Sequence, residues 1–376
     1  MAERTDIAII GAGVVGLAIA AELSRTSRVV IIERHESYGR ETSSHNSGVV
    51  HAGIYYPPDW LKTSLCIEGN ALLYGWAEKA SVRVARVGKL IIATEVSETP
   101  ALERLFAEAQ ANGVPDLRLL TRVEVQQLEP SIRAVAAIYS GSSGVIDQMQ
   151  LMRSLLSAAE ANDAFAAFKH TVSAVERNAD GFELTIVDPA GQTSRLEAPV
   201  LINSAGLAAD RVAAMLDYPL DGDEAVPWLR QSINKGRYYD IVNPAKARQL
   251  RHLIYPLPHT SRSGLGVHVT LDIDGGVHLG PDTEWLAADA PLDYRADDSR
   301  RDQFVEAVKT YLPWLAADDV LPGHVGYRPK LHDAAGGPAD FLIWHDRRYV
   351  HLGGIESPGM TASLAIARHV ARLLRP

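Results

Sequence analysis

The sequence predicts a mixed α/β (α+β) fold in which a parallel βαβ unit is interleaved with a domain built on a mostly antiparallel sheet. Near its start, an apolar run at residues 6–10, a glycine-rich turn, a helical segment and a second apolar run at 28–32 follow in βαβ order. Residues 226–320 instead alternate strand-like segments with turns, which is typical of antiparallel sheet. Later strand-like runs near 200–203 and 349–352 predict that the first unit is assembled from early, middle and late pieces.

Helices are indicated by apolar residues that recur every three to four positions. In the segment 59–79, the apolar residues from Leu61 to Trp76 would share one face. Thr121 and Glu124 have the spacing of a capping box, so a short helix should begin there. The remaining helices are predicted at residues 100–112, 149–161, from about 208, 303–315 and 360–374.

Strands are indicated by short runs of apolar and β-branched residues between turn signals. Residues 178–181 have the composition of a hairpin turn and divide the segment 168–187 into two strands. Residues 200–206 combine a buried strand with a small-residue end, where backbone can pack against a bound nucleotide. Other strands are predicted at 88–94, 236–242, 254–257, 265–271, 276–279 and 349–352.

Composition excludes several classes of function. The 376 residues are 47% hydrophobic and 22% charged, with a net charge of -9 and no basic block, so no nucleic-acid partner is expected. Cys66 is the only cysteine, which rules out an intrachain disulfide and a thiolate cluster, and no metal site is predicted. We interpret Cys66 as a small buried residue on a helix and expect a reducing, cytoplasmic compartment.

The uncharged run at residues 7–21 looks like a signal sequence but is better explained as part of the fold. The residues before it lack a net positive charge, the run contains three glycines, and it is shorter than a membrane span. We therefore expect neither export nor a transmembrane segment.

Residues 6–33 carry a dinucleotide-binding fingerprint of the Rossmann type. Gly11 permits a tight turn, Gly13 lets the backbone approach a pyrophosphate, and Gly16 lets helix and strand pack closely. The helix N-terminus then offers N–H groups and its positive dipole end to the phosphates. Glu33 lies 22 residues after Gly11, where an acid binds ribose hydroxyls and would repel the 2′-phosphate of NADP.

The segment after Glu33 favours FAD over NAD. It departs from plain βαβ alternation and forms a long polar loop rich in Gly and Ser at residues 39–48. Such a loop is suited to wrapping a cofactor longer than the pyrophosphate of NAD requires. The position of the fingerprint early in the sequence also favours FAD.

Four blocks of residues carry a resemblance that runs nearly from end to end. They are residues 44–57, then 253–256 with 265–268, then 326–330, and last 354–361. With these blocks the chain resembles the L-2-hydroxyglutarate dehydrogenase (oxidase) family, within the glycine oxidase/D-amino-acid oxidase superfamily of flavoproteins. The first block is the most specific. Between residues 217 and 235 the sequence departs from the family pattern and is unusually acidic at 221–224.

The resemblance implies FAD-dependent oxidation of a small 2-hydroxy acid, with L-2-hydroxyglutarate to 2-oxoglutarate as the first hypothesis, by hydride transfer to flavin N5. It implies that Arg328 holds the substrate carboxylate, for which a guanidinium offers two parallel hydrogen bonds. His51 is a candidate for the base that takes the hydroxyl proton, and the alternatives are a flavin contact or a histidine that is simply packed within its loop. A dicarboxylate also needs a second cationic or hydrogen-bonding group. The candidates for that group are Lys330, Lys235, Arg237, Tyr255 and His268.

The glycine-rich segment 353–359 leads into the last helix, whose N-terminus the resemblance places at the flavin pyrimidine. Its dipole would favour negative charge there, and the glycines allow close backbone approach. The predicted cofactor-binding residues are Gly11, Gly13, Val15, Gly16, Glu33, Arg34, Ser43, Ser44, Asn46, Ser47, Gly48, Val172, Ser204, Ala205, Gly206, Gly354, Gly359, Met360 and Thr361.

We expect an FAD-binding domain at residues 1–85, 145–222 and 325–376 and a substrate-binding domain at 86–144 and 223–324. Three alternatives to the 2-hydroxy-acid hypothesis stay open: an amine or amino-acid oxidase of the same superfamily, a nicotinamide-dependent dehydrogenase and a non-catalytic flavin-binding protein. The electron acceptor is oxygen, a quinone or an electron-transfer protein. A quinone would bring an otherwise cytoplasmic protein to the periphery of the inner membrane.

Overall fold

A computed structural model of the chain describes residues 3–257, 266–287, 289–331, 337 and 339–375. The chain divides into two compact units. Unit 1 comprises Met1–Ser44, Gln148–Ile233 and Arg328–Pro376, and unit 2 comprises His45–Asp147 and Asn234–Tyr327. The polypeptide therefore passes between the units four times.

Unit 1 is built on a six-stranded sheet. In spatial order its strands are Phe165–Phe168, Val29–Glu33, Ile7–Ile10, Val200–Asn203, Tyr349–Gly353 and Leu342–Asp346. The first five are parallel, and the last is antiparallel to its neighbour. The early, middle and late segments of the chain therefore meet at the centre of one parallel sheet, as predicted.

The helix Val14–Leu23 follows the first strand of this sheet and packs with the helices Gln148–Glu160 and Gly359–Leu373. Apart from Glu22 near its end it consists of apolar residues and glycine, and Leu17, Ile19 and Ala20 are fully buried. A helix of this kind is covered by protein all around, which accounts for its resemblance to a signal sequence. The short helix Ala209–Ala214, preceded by a 3-10 turn at Gly206–Ala208, completes the unit's helices within the described residues.

A second sheet of unit 1 has four strands. Their order is Glu3–Arg4, Thr193–Ala198, Gly181–Val187 and Thr171–Asn178. The predicted hairpin is confirmed, since Asn178 pairs with Gly181 at its turn. Phe182 and Leu184 are buried in one cluster with Tyr349, which joins this sheet to the six-stranded one.

Unit 2 is built on a nine-stranded sheet. Eight of its strands have the order Glu284–Trp285, Ser232–Ile241, Val277–Gly280, His268–Leu271, Leu253–Pro256, Lys89–Ala93, Ala136–Ser140 and Leu117–Thr121, and Val320–Lys330 pairs with Ser232–Ile241. Neighbours along this order are antiparallel, except that Leu253–Pro256 runs parallel to Lys89–Ala93. The predicted mostly antiparallel sheet is confirmed.

The remaining elements of unit 2 are a small three-stranded sheet and several helices. The small sheet has the order Val49–Val50, Gly144–Ile146 and Val84–Ala85. The helices are Leu61–Ala80, Thr99–Ala111, Arg122–Leu128, Pro244–Ala247 and Arg301–Val308, with 3-10 turns at Val96–Glu98 and Ala317–Asp319. Cys66 is buried on the first of these helices. Across the described ranges no helix is long and apolar enough to cross a membrane.

The predicted capping box is confirmed, while one helix is shorter than expected. Thr121 Oγ1 accepts from the N–H of Glu124, and the Glu124 carboxylate accepts from the N–H of Thr121 at 2.7 Å. The helix predicted at 303–315 spans Arg301–Val308. Pro313 disfavours helical backbone at the residue before it, and the chain turns at 309–311.

Several strands were not predicted, among them two late in the chain. Val320–Lys330 contains Pro322 and Gly323, which read as turn signals, and Leu342–Asp346 lies at a sheet edge beside Tyr349–Gly353. The strand expected at 265–271 spans His268–Leu271, and Leu265 lies outside the described residues.

The expected domain boundaries differ from these units at four segments, of which 145–147 and 325–327 are only three residues long and lie in unit 2. Residues 45–85 were assigned to the FAD-binding domain but lie in unit 2, because Val49, Ala52 and Ile54 are buried in one cluster with Leu90. Residues 223–233 lie in unit 1, where Leu229 is buried against the helix Ala209–Ala214. Apolar residues that are buried in a common cluster set the boundaries at 45–85 and 223–233. Composition alone does not locate such clusters.

Candidate active site

The turn between the first strand and the first helix is so tight that only glycine fits. Gly11 has φ +102°, and a Cβ atom there would lie 2.6 Å from the carbonyl oxygen of Ser204. A Cβ atom on Gly16 would lie 2.1 Å from the carbonyl oxygen of Gly11. Both obstacles are backbone atoms, which cannot move aside, so the glycines hold the helix against two strand ends.

Side chains from two later segments fix this turn. The Glu33 carboxylate is buried and accepts the N–H groups of Ala12 at 2.9 Å and His35 at 2.8 Å. The hydroxyl of Ser43 accepts the N–H of Val14, at 2.9 Å. The helix that begins at Val14 has no acidic residue in its first turn. The backbone N–H groups of a glycine turn at the positive end of a helix are the kind of donors that a pyrophosphate requires. These residues therefore fit the pyrophosphate of FAD.

A buried glutamine that sequence analysis missed joins two other predicted cofactor segments. Gln231 donates from Nε2 to the carbonyl oxygen of Gly206 at 2.9 Å and accepts the N–H of Gly354 at 2.7 Å. Its own N–H donates to Asp210 at 3.1 Å. Ser204, in turn, donates to the carbonyl oxygen of Ile10 at 2.9 Å. Ser204, Ala205, Gly206 and Gly354 are therefore held beside the ends of three adjacent strands.

The C-terminal helix begins at Gly359, one residue before the predicted start, and has no acidic residue in its first turn. Gly359, Met360 and Thr361 thus form its positive end. Just before it, Glu356 forms a 2.8 Å ion pair with Lys330. The ion pair neutralises the Lys330 ammonium within the protein. We therefore interpret Lys330 as a residue that holds the segment 354–359 in place.

The other predicted cofactor residues are distributed over both units. In unit 1, Arg34 pairs with Glu41, and the carbonyl oxygen of Ser44 accepts from Gln148 at 2.8 Å. Val15 lies in the first helix, and Val172 packs on the core of the four-stranded sheet. Asn46, Ser47 and Gly48 belong to unit 2, where Asn46 Oδ1 accepts the N–H of Gly48 at 2.9 Å.

In unit 2 the structure brings together three of the predicted site residues, namely His51, Tyr255 and His268. Ile254 lies opposite Val269 in an antiparallel pair, so Tyr255 and His268 lie opposite each other on one face of the sheet. Their rings stack with centroids 3.7 Å apart and planes 8° apart. The hydroxyl of the nearby Tyr55 is buried and has no hydrogen-bond partner within the described residues.

Lys89, which sequence analysis missed, lies at the centre of this cluster. Its side chain is 1% exposed, its Nζ lies 3.4 Å from Nδ1 of His51, and the same Nζ lies 4.0 Å from the ring centroid of Tyr255. It begins the apolar strand Lys89–Ala93, within the strand predicted at 88–94. A charged residue at the end of a fully buried strand is the signal that could have identified it, because Lys is seldom fully buried.

Burial and mutual proximity shift the proton affinities in this cluster. Burial lowers the pKa of Lys89 to about 7. Burial, together with proximity to Lys89 and His268, holds the pKa of His51 well below its usual range. Burial raises the pKa of Cys66 to about 12, against the opposing effect of Lys89. At neutral pH His51 is therefore neutral and able to accept a proton, whereas Cys66 is a thiol.

Two predicted carboxylate ligands have different surroundings. Arg328 lies partly buried in the strand Val320–Lys330, two residues before Lys330, and belongs to unit 1. Arg237 belongs to unit 2 and is buried against Asp282 at 3.2 Å and Glu284 at 2.5 Å. These carboxylates neutralise Arg237, which favours a structural role over binding of the second substrate carboxylate.

The chain matches the model of the FAD dependent oxidoreductase (DAO) family over residues 6–373. It belongs to the DAO family of FAD-dependent oxidoreductases. The DAO family uses FAD, so the prediction of FAD over NAD is confirmed, as is the prediction of an oxidoreductase. The glycine turn and the Gln231-linked segments are the parts of this DAO-family chain that fit the cofactor.

Individual relatives extend this assignment. The chain is 38% identical to a protein of Arabidopsis thaliana named L-2-hydroxyglutarate dehydrogenase, mitochondrial, over 98% of its own length and 83% of the relative's. Its fold is similar to that of L-alpha-glycerophosphate oxidase from Mycoplasma pneumoniae with FAD bound, with a TM-score of 0.85, 28% identity and coverage of 99% and 95% of the two chains. Glycine oxidase from Geobacillus kaustophilus shares the fold at a TM-score of 0.79 and 21% identity, over 99% and 94% of the two chains.

Proposed function

We propose that this DAO-family enzyme oxidises L-2-hydroxyglutarate to 2-oxoglutarate. The observation that carries the proposal is the 38% identity, over nearly the whole chain, to a plant protein named for that substrate. The side chains of unit 2 support it, because the cluster around His51 offers a neutral imidazole that can accept a proton.

We propose that His51 accepts the proton of the substrate hydroxyl. An alcohol must lose a proton as its Cα–H leaves, and a neutral imidazole is the side chain suited to take it near neutral pH. His51 is partly buried, its backbone carbonyl accepts from Asn70 at 2.8 Å, and its ring lies against Lys89. Its position is therefore fixed from both the backbone and the ring.

We propose that Arg328 binds the substrate carboxylate that lies next to the reacting carbon. A guanidinium holds a carboxylate through two parallel hydrogen bonds and so fixes its orientation as well as its charge. Tyr255 and His268 are assigned to the remainder of the substrate, together with the buried hydroxyl of Tyr55. Arg328 belongs to unit 1 and the other three to unit 2, so the assignments are tested separately.

The residues proposed to hold FAD are those of the glycine turn, Glu33 and Ser43, the segment Ser204–Gly206 with Gly354, and the start of the last helix. When bound, FAD supplies the acceptor for the hydride that leaves the substrate. The helix end at Gly359–Thr361 contributes a positive dipole, which favours negative charge beside it.

We further propose a compartment that keeps Cys66 reduced. The Arabidopsis relative is named mitochondrial, which does not match the cytoplasmic location predicted from composition. Either a cytoplasm or a mitochondrial matrix keeps a lone buried thiol reduced. Of the three predicted electron acceptors, the one used is identified by supplying each in turn to the substrate-reduced enzyme and following reoxidation.

Anaerobic bleaching of the flavin absorbance tests the substrate. The purified holoenzyme is mixed without oxygen with L-2-hydroxyglutarate, D-2-hydroxyglutarate, L-lactate, glycerol 3-phosphate, glycine and an N-methyl amino acid. We expect fast, complete bleaching by L-2-hydroxyglutarate and slow or no bleaching by its enantiomer. Bleaching by an amine or by glycerol 3-phosphate alone would contradict the proposal, and a protein that no compound bleaches would be a non-catalytic flavoprotein.

Two variants separate the assigned roles. His51→Gln should slow flavin reduction by about 100-fold or more with little change in substrate Kd, because only proton removal is lost. Arg328→Lys should raise the substrate Kd by about 10-fold or more, because the bidentate contact is lost while the charge stays. A His51→Gln enzyme with an unchanged reduction rate would remove His51 from the mechanism.

A further inference from the structure

Lys89 occupies an unusual electrostatic position. Its side chain is 1% exposed, and in the part of the chain that the structure describes no carboxylate pairs with it. A buried ammonium without an anion is unfavourable, since burial removes hydration that no partner replaces. The neutral amine carries no such penalty.

The groups that face Lys89 are neutral or weakly polar. His51 approaches from the loop after Val49–Val50, at 3.4 Å between Nζ and Nδ1. The rings of Tyr255 and Tyr55 lie 4.0 and 5.9 Å from Nζ. Cys66 from the helix Leu61–Ala80 interacts with Lys89, and His268 interacts with His51. None of these groups supplies a formal negative charge at neutral pH.

We propose that Lys89 acts as a neutral amine that accepts a hydrogen bond from Nδ1–H of His51 and thereby leaves Nε2 as the proton acceptor. Lys89 is then a positioning residue, because it acts on the substrate through His51. The inference rests on the proposed function, since it explains how His51 would work as the base.

The direction of this hydrogen bond decides whether His51 can be a base at Nε2. A neutral imidazole carries one N–H and one lone pair. If Lys89 were an ammonium donating to Nδ1, the imidazole proton would sit on Nε2, which could then accept nothing. If Lys89 is an amine, its lone pair faces Nδ1–H and the lone pair of His51 is on Nε2. The lowered pKa of Lys89, about 7, is consistent with the amine.

The proton balance also favours an amine behind the imidazole. As the substrate O–H bond breaks, its proton bonds to Nε2 of His51, and the Nδ1 proton can move to Nζ of Lys89. The substrate's Cα–H leaves with both electrons as hydride, for which FAD is the acceptor, and a C=O bond forms. The resulting ammonium lies over the Tyr255 ring, 4.0 Å from its centroid, where a cation–π contact stabilises it.

Nitrogen NMR of the histidine rings tests the proposal without turnover. The holoenzyme is labelled with 15N-histidine, and His51→Gln identifies the His51 signals among the 13 histidines. We expect the Nδ1–H tautomer for His51 in the wild type at pH 8. An Nε2–H tautomer would overturn the proposal, and this outcome does not depend on whether a Lys89 variant folds.

Substitutions of Lys89 provide the second test. Lys89→Met removes the amine, and Lys89→Arg keeps a permanent charge that cannot accept a proton. Both should lower the anaerobic rate of flavin reduction by about 10- to 100-fold, with substrate Kd changed less than about threefold. The wild-type rate should rise as the pH increases through about 7, and both variants should lose this rise. The matched control is Lys79→Met, on the exposed end of the helix Leu61–Ala80.

The outcomes separate this inference from the proposed function. A Lys89→Arg enzyme at near wild-type rate, beside an impaired Lys89→Met enzyme, would overturn the inference, because charge and not proton acceptance would then be required. Partial rescue of the Lys89→Met enzyme by ethylamine, rising with its free-base concentration, would support it. A wild-type enzyme that no 2-hydroxy acid reduces would overturn the proposed function and the inference together.

Discussion

The side-chain carbonyl of Gln231 accepts a 2.7 Å hydrogen bond from the backbone N–H of Gly354. The amide nitrogen of the same side chain donates to the carbonyl oxygen of Gly206, and Gln231 is largely buried. A single carboxamide thus joins a loop after a middle strand to a loop after a late strand. No ionic group could satisfy both partners, since one requires a donor and the other an acceptor.

Gln231→Glu should therefore weaken FAD binding. The carboxylate still accepts from Gly354 but leaves the carbonyl oxygen of Gly206 without its donor, which costs about 1–3 kcal/mol. We expect the FAD dissociation constant, measured by fluorescence titration of the apoprotein, to rise by about 10-fold or more. The control is Gln127→Glu at an exposed helical position. Equal affinities of the two variants would show that the Gln231 bridge does not support the cofactor site.

Gly16→Ala should destabilise unit 1 severely. The added Cβ would lie 2.1 Å from a backbone oxygen of Gly11, so the helix would have to leave the sheet. We expect a loss of about 3 kcal/mol or more in the free energy of unfolding, with no retained FAD.

The matched control for this substitution is Gly75→Ala. Gly75 lies on the helix Leu61–Ala80 with no atom near its Cβ position, so alanine should stabilise by about 0.5–1 kcal/mol. Urea denaturation compares the two variants. If both variants changed the free energy of unfolding by similar amounts, the contact between Gly16 and Gly11 would not be the cause of the destabilisation.

Lys330→Met should act on stability and not on substrate affinity. Its partner Glu356 is 11% exposed at the side chain and would lose this ion pair while staying largely buried. We expect a loss of about 1–3 kcal/mol, and partial recovery in the double variant Lys330→Met/Glu356→Gln. Denaturation and substrate titration distinguish the roles. A raised substrate Kd with unchanged stability would restore Lys330 as a substrate ligand.

His278 should make the stability of unit 2 depend on pH. Its Nδ1 lies 2.6 Å from Asp240 and its Nε2 lies 3.0 Å from Asp272. Burial lowers the pKa of His278, but the two carboxylates outweigh burial and raise it above the usual value. The protonated form is thus favoured in the folded state. Its stabilisation is complete below the unfolded pKa of about 6.5 and is lost as the pH rises through the higher folded pKa.

The measurement is the free energy of unfolding at pH 6 and pH 9. The wild type should exceed His278→Gln by about 1–2 kcal/mol at pH 6, and the difference should shrink at pH 9. His345→Gln, at an exposed position, serves as the control. A difference that grows with pH would mean that neutral His278 is the form favoured in the folded protein.

The parts of the site that sequence analysis located are those defined by local backbone geometry. Gly11 and Gly16 follow one strand within six residues, and each is required by a backbone contact with the turn itself or with the adjacent strand end. The start of the last helix was located within one residue for the same reason. Local turns and helix ends have their own residue requirements, so they can be predicted from a single sequence.

The parts that escaped prediction depend on pairing between distant strands. Lys89 meets Tyr255 because Lys89–Ala93 runs parallel to Leu253–Pro256, a pairing separated by more than 160 residues. Gln231 lies in a segment whose acidic composition gave no sign of a buried amide. Strand order, which no local pattern specifies, brings His51, Lys89 and Tyr255 together.

The sheet of unit 1 also constrains the order of events during synthesis. Its central strand Val200–Asn203 lies between the early strand Ile7–Ile10 and the late strand Tyr349–Gly353. Two long excursions into unit 2 separate these strands along the chain. A nascent polypeptide can therefore form the N-terminal βαβ segment early but cannot complete the sheet until Tyr349–Gly353 leaves the ribosome. The emergence of this late strand, and not the appearance of the glycine turn, sets the moment at which this half of the molecule closes its core.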